Sequence, residues 1–265
     1  MRIAVVAPSN TVLPEVPERV LALTRERYGN AAPEIVFHPQ CFESAGHFAG
    51  PDTLREEALV EAANDPAFDA VWFGRGGYGA NRIAGRAIAR MNKAARAKPF
   101  LGYSDGGFLL AGLLANGIGQ PVHAPMPSDI MRTGGQAAVA RSLDWLMGDR
   151  KVPEQKAVAF NLIVFSELIG TPLQPDLTGR ILMLEEVDEP MYRIDRSLFH
   201  VTSNPDVRKC AGIMLGRCAP IPPNIPDFGT DEVAVAKHWC AVSGIPWLGR
   251  ADIGHDADNT VVPFG

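Results

Sequence analysis

Lys98-Pro99-Phe100-Leu101-Gly102-Tyr103-Ser104-Asp105-Gly106-Gly107-Phe108-Leu109-Leu110 decides how this chain is read. An apolar run of strand length ends at Gly102, a serine follows, and apolar residues at helical spacing resume soon after, so the stretch predicts strand, sharp turn and helix with a hydroxyl at the corner. The pattern Gly102-x-Ser104-x-Gly106 matches a nucleophile elbow, in which flanking glycines let the backbone turn tightly and lift the serine clear of the sheet. A helix N-terminus beside that serine favours developing negative charge. The competing reading makes Ser104 or Asp105 a cap of the helix that follows.

Upstream, Ile3 to Ala7 is an apolar run stopped by Pro8-Ser9-Asn10, as expected of a buried parallel strand. Leu13 to Tyr28 has helical spacing, Ile35 to His38 reads as a strand, Pro51-Asp52 opens a helix with Asp52 as its cap, and Asp69 to Phe73 is the third strand. This alternation predicts an α/β layer with a mainly parallel sheet. The third strand runs into Gly74-Arg75-Gly76-Gly77-Tyr78-Gly79-Ala80-Asn81-Arg82, whose bare backbone can aim N–H groups at a ligand. It lacks the G-K-[ST] ending of a Walker loop, and Gly74-x-Gly76-x-x-Gly79 has no acidic partner of the dinucleotide kind.

Downstream, Phe108 to Ala115 is apolar all round and predicts a buried helix. Pro121 to Pro125 reads as a strand ending in a loop, Ala137 to Leu146 as an amphipathic helix, and Met147 to Pro153 as a polar exit. A first domain, residues 1–150, therefore carries Ser104 and the glycine loop, and a second spans 151–265. In the second, Ile181 to Leu184 and Gly212 to Gly216 read as strands, Tyr192 to Phe199 and Asp231 to Val242 as helices, and Pro220 to Pro226 as loop. Pro246-Trp247-Leu248 is short and extended, and Gly254 to Asn259 is a polar loop before the closing run Thr260 to Phe264.

Composition narrows the function classes. The 265 residues are 46% hydrophobic and 21% charged, which fits a globular protein with a filled core. A formal net charge of -5 gives no basic footprint for nucleic acid. Cys41, Cys210, Cys218 and Cys240 have neither zinc-site spacing nor disulfide density and read as reduced, mostly buried thiols. The N-terminus lacks a secretory signal and no stretch is long enough to span a bilayer, so a cytoplasmic protein without a membrane partner is expected.

A serine hydroxyl needs a base, and a histidine held by a carboxylate is the usual one. His255 lies in a polar loop after a strand, and His123 follows a strand on the half that carries Ser104. For the carboxylate, Glu185 ends an apolar strand, where burial is costly without a partner, and Glu186 is its neighbour on the opposite face.

Several of these stretches together resemble the LD-carboxypeptidase family of serine peptidases, which includes the microcin-immunity hydrolases. The segments that carry the resemblance are Val5 to Ser9, Gly74 to Gly79 with Arg82, Leu101 to Asp105, Asn161, Gly170-Thr171-Pro172, Leu184 to Val187, Tyr192 to Arg196, and Gly254-His255 with Asn259 and Pro263. They fall in the family's order over nearly the whole chain. The resemblance implies a triad of Ser104 as nucleophile, Glu185 as orienter and His255 as base, with an oxyanion hole at the backbone N–H groups of Gly77 and Asp105. It implies a class I amidotransferase-like first domain, a smaller β-rich swivelling second domain and a homodimer. It further implies release of the terminal D-alanine from the murein tetrapeptide during cell-wall recycling, with Arg75 or Arg82 as the cation for the terminal carboxylate. No metal or other cofactor is expected, since an activated hydroxyl replaces metal-bound water. Gly106-Gly107 stands where the family often has Ile-Thr, and Ala124-Pro125 where Gly-Pro is common.

Three alternatives accompany this reading. A hydrolase of peptidyl-nucleotides would need an aromatic surface for the base. An α/β-hydrolase esterase would share the elbow but lacks an H-G-G-G motif here. A non-catalytic protein could hold a small anionic peptide on the glycine loop.

Overall fold

The structure, a computed structural model, describes residues 1–148, 150 and 155–265. Its first sheet has six strands in the order β10-β5-β4-β3-β1-β2. These are β1 (Arg2–Val6), β2 (Glu34–Phe37), β3 (Ala70–Phe73), β4 (Pro99–Gly102), β5 (Gln120–His123) and β10 (Val262–Pro263). Five run parallel, and β10 returns antiparallel to β5 with Val262 opposite His123.

The two-residue period of the strands sorts their side chains onto two covered faces. Ala4, Val6, Val71 and Phe73 pack beneath α2 (Asp52–Asn64), α3 (Ala80–Ala89) and α4 (Gly107–Ala115). Ile3, Val5, Trp72 and Leu101 pack beneath α1 (Val16–Tyr28) and α5 (Gly135–Met147). The expected capping role of Asp52 is not met. Pro51 holds the cap position of α2, and Asp52 pairs with Arg55 and Arg82 instead.

The second half is built on a separate parallel sheet, β6 (Ala157–Asn161), β7 (Ile181–Glu186), β8 (Gly212–Cys218) and β9 (Trp247–Arg250), in that order. Its crossovers are α6 (Leu162–Leu168), α7 (Met191–Ser203) and α8 (Glu232–Ser243). The strand β6 and the helix α6 have no counterpart in the sequence reading. The chain is α/β throughout, with a mostly parallel first sheet and a parallel second one. The division drawn near residue 150 falls beside residues 149 and 151–154, which lie outside the described residues.

The all-apolar α4 sits between the halves, as its composition requires. Leu109, Leu110 and Leu113 belong to one continuous buried cluster that runs from Val71 and Phe73 of the first sheet to Phe160, Leu182 and Leu184 of the second. Small residues allow the close approach. A Cβ on Gly107 would lie 3.1 Å from Val164, and one on Gly112 would lie 2.8 Å from Leu173. The C-termini of the first sheet's parallel strands, where loops gather, therefore open toward the second sheet's β7 and the loop after β9.

Candidate active site

Ser104 stands at the corner between β4 and α4 with φ of 56°, the left-handed region that costs a non-glycine residue steric energy. Its neighbours make the turn possible, since a Cβ on Gly102 would fall 2.5 Å from Phe73. Neither Ser104 nor Asp105 caps α4 through its side chain. Asp105 turns the other way. Its Oδ2 accepts the Ser9 hydroxyl at 2.5 Å and the Ala80 N–H at 2.8 Å, tying the serine turn to the first turn of α3. Burial pushes the Asp105 carboxyl above its ordinary range against these donors.

Between β3 and α3 the glycine loop passes over the serine. A Cβ on Gly76 would sit 3.0 Å from Ser104 Oγ, and Gly77 has φ of 110°, so both positions need glycine. Asn10 holds the loop from behind, donating its N–H to the Gly76 carbonyl and accepting the Tyr78 N–H. The Gly77 N–H has no acceptor among the described residues. Gly77 lines both cavities that meet at Ser104, and Asp105 lines the larger.

Glu185 and His255 come together at the same place. His255 Nδ1 lies 2.5 Å from Glu185 Oε2, and their side chains are 7% and 0% exposed. Burial alone would push the ring's pKa down. The charge and hydrogen bond of Glu185 outweigh it, and the His255 pKa is raised above its ordinary value. His255 Nε2 has no hydrogen-bond partner among the described residues, and the ring shares both cavities with Ser104. No hydrogen bond joins Ser104 Oγ to that nitrogen here, a separation common to serine sites without substrate. Gly216 makes room for the carboxylate, since a Cβ there would lie 2.9 Å from that of Glu185.

Glu186 takes a different position. A register shift in β7 separates it from Leu184, and its carboxylate accepts Asn161 Nδ2 at 2.6 Å, Ile163 N at 2.9 Å and Val187 N at 2.9 Å. It thus braces the start of α6 at the wall of the larger cavity. Burial still pushes its pKa up to about 7. His123, the other candidate base, is fully buried, and its Nε2 meets Asn259 Oδ1 at 2.9 Å.

Arg75 lines the smaller cavity beside Ser104. Arg82 does not line either cavity. It pairs with Asp52 at 2.9 Å and lies over the Phe48 ring. Arg132, which the sequence reading did not single out, lines the smaller cavity and donates to the backbone carbonyl of His255. Its partner lies 123 residues away in sequence, so no local pattern marks it. The Tyr103 ring, 4.9 Å from that of His255, completes the wall. Among the described residues no group of His, Cys, Asp and Glu is arranged to hold a metal ion.

Residues 3–124 match the LD-carboxypeptidase N-terminal domain and residues 156–265 the LD-carboxypeptidase C-terminal domain. The murein tetrapeptide carboxypeptidase of Pseudomonas aeruginosa is 29% identical, with 100% of this chain and 91% of that protein covered. The crystal structure of muramoyltetrapeptide carboxypeptidase from Oxalobacter formigenes superposes with a TM-score of 0.83 at 26% identity, covering 99% of this chain and 93% of that one. The microcin C7 self-immunity protein MccF shares the fold, with a TM-score of 0.81 at 15% identity over 100% of this chain and 91% of that one.

Proposed function

Because the chain belongs to the LD-carboxypeptidase family of serine peptidases, we propose that it hydrolyses the amide bond before the terminal D-alanine of a murein tetrapeptide. The observation that carries this reading is His255, fixed at Nδ1 by the buried Glu185 and facing, with Nε2 unengaged, the cavities that hold Ser104.

In the first step Ser104 Oγ attacks the scissile carbonyl carbon and its proton passes to His255 Nε2. The imidazolium so formed is stabilised by Glu185. Negative charge moves to the carbonyl oxygen, where the N–H groups of Gly77 and Asp105 would receive it. Each such donor contributes about 3 kcal/mol to the transition state. The C–N bond then breaks as His255 returns the proton to the amine of D-alanine. Water, deprotonated by the same nitrogen, cleaves the acyl-serine ester and restores the hydroxyl.

This activity would place the protein in cell-wall recycling in the cytoplasm, acting as a homodimer on released muropeptides. Among the described residues no helix is long and apolar enough to cross a membrane. The alternative substrate, a peptidyl-nucleotide, would find no indole to stack on, because none of Trp72, Trp145, Trp239 and Trp247 lines the cavities beside Ser104.

Incubation with murein tetrapeptide and, separately, with an aminoacyl-sulfamoyl adenosine, followed by mass spectrometry, tests the reading. Tripeptide and free D-alanine are expected from the first and no product from the second. Cleavage of the nucleotide conjugate alone would overturn it.

A further inference from the structure

Arg55, in the first turn of α2, is fully buried and lines neither cavity beside Ser104. Its Nη1 donates to the Gly79 carbonyl at 2.9 Å and to the Pro8 carbonyl, and its Nη2 meets Asp52 Oδ1 at 2.5 Å. Glycine at position 79 admits the guanidinium, since a Cβ there would fall 2.9 Å from Arg55 Nη1. Yet Arg55 Nε is buried with no hydrogen-bond partner among the described residues. A buried cation with an unused N–H stabilises a core poorly, and an apolar side chain of similar volume often does as well or better. A cation so placed serves geometry rather than stability.

Asp105 grips the same backbone as Arg55. Gly79 and Ala80 share a trans peptide, whose carbonyl accepts from Arg55 and whose N–H, pointing the opposite way, donates to Asp105 Oδ2 at 2.8 Å. At the end of β1 the Pro8 carbonyl accepts from Arg55, and the Ser9 hydroxyl donates to Asp105 Oδ2 at 2.5 Å. Two opposite charges, one on α2 and one on the serine turn, thus hold the same two segments. Gly77 lies two residues before the gripped peptide, and Asp105 carries the other oxyanion donor on its own backbone. On its other side Gly77 is held through Asn10, which bonds the Gly76 carbonyl and the Tyr78 N–H.

We propose that Arg55 and the Asp105 carboxylate form one clamp that sets the spacing between the Gly77 and Asp105 N–H groups. Arg55 is then a positioning residue for the reaction although it touches no substrate. The inference rests on the oxyanion hole of the serine mechanism above. Donors of that kind act on charge that develops only as the tetrahedral species forms. Loosening the clamp should therefore cost affinity for a tetrahedral adduct on Ser104 while leaving ground-state binding alone.

The test compares two ligands within one protein. One is the tripeptide left by loss of D-alanine with its new carboxyl group reduced to an aldehyde, which can add to Ser104 and place an oxyanion at the donors. The other is the same peptide reduced to the alcohol, which cannot. The wild type should prefer the aldehyde. In Arg55→Lys, which keeps the charge but cannot span both carbonyls and Asp52, that preference should shrink roughly 10- to 100-fold with the alcohol bound as before. On the tetrapeptide, kcat should fall in step while KM holds. Ser9→Ala, a smaller change to the same clamp, should shrink the preference in the same sense and keeps the test open if Arg55→Lys does not fold. Equal loss of both ligands, or a preference that survives both substitutions, overturns the clamp and leaves the serine mechanism standing. A wild type with no preference for the aldehyde overturns the serine mechanism, and the clamp with it.

Discussion

His123 Nε2 lies 2.9 Å from Asn259 Oδ1, joining residues 136 apart in the chain. The same Oδ1 accepts the Gly254 N–H at 3.2 Å, Arg141 Nε donates to the Asn259 carbonyl at 2.9 Å, and Arg141 and Arg132 hold the carbonyls of Ala257 and His255. The loop carrying the base is thus fastened to the sheet that carries the nucleophile, although its carboxylate partner belongs to the other sheet. The second sheet holds the same loop from the other side, where Arg217 of β8 binds Asp252 and Asp256 and donates its N–H to the Ile253 carbonyl. The geometry between Ser104 and His255 therefore depends on both attachments.

Arg141→Ala removes two of these attachments without touching either cavity. Because small misplacement of a reacting group is expensive, kcat is expected to fall about 10-fold or more with little change in KM. Arg141→Lys should recover part of the loss. Steady-state kinetics on the tetrapeptide distinguishes this from a binding defect, in which KM would carry the change.

Burial holds the pKa of His123 below its ordinary value. The unfolded chain therefore takes up this proton first, and stability should decline as pH falls through the unfolded value near 6.5 toward the folded one. Urea unfolding midpoints measured across that window should fall in the wild type relative to His123→Gln, because the raised pKa values of His255 and Glu186 act in the opposite sense in both proteins and cancel in the difference. Parallel curves would assign the pH dependence elsewhere.

The raised pKa of His255 has a kinetic consequence. As a base the ring must be neutral, so kcat/KM should climb with pH and reach half its maximum above about 6.5. Glu185→Gln removes the charge that favours the imidazolium. The half-point should move toward acid while kcat falls by about 100-fold or more. An unmoved half-point would mean that another group titrates.

The left-handed backbone at Ser104 makes a stability prediction separate from the chemistry. Ser104→Gly should be more stable than Ser104→Ala by about 1 kcal/mol, since glycine adopts this conformation without steric cost, and both should be inactive. Thermal melts of the two proteins check the difference.

Much of this arrangement is legible in the sequence, because the first half punctuates its strands clearly. Pro8-Ser9-Asn10 ends β1, and the glycine loop ends β3. In β6 and α6, Ala157 to Phe165 is apolar except for Asn161, so no glycine or proline separates the strand from the helix. Asn161, whose Oδ1 accepts the Val164 N–H at 3.1 Å, is the only local sign of that boundary. The helix α3 is obscured by the glycines before it, because its cap is supplied by Asp105 from 25 residues downstream. The choice between Glu185 and Glu186 turns on the register shift in β7, and the roles of Arg132 and Arg141 on carbonyls more than a hundred residues away. Such pairings exist only once the chain has folded.

The most direct measurement is the rate of D-alanine release by Ser104→Ala, Glu185→Gln, His255→Ala and the triple variant. If the three side chains act as one unit, removing Ser104 or His255 alone should cost nearly as much as removing all three. Losses that multiply from one variant to the next, or a His255→Ala enzyme close to the wild type, would contradict the triad.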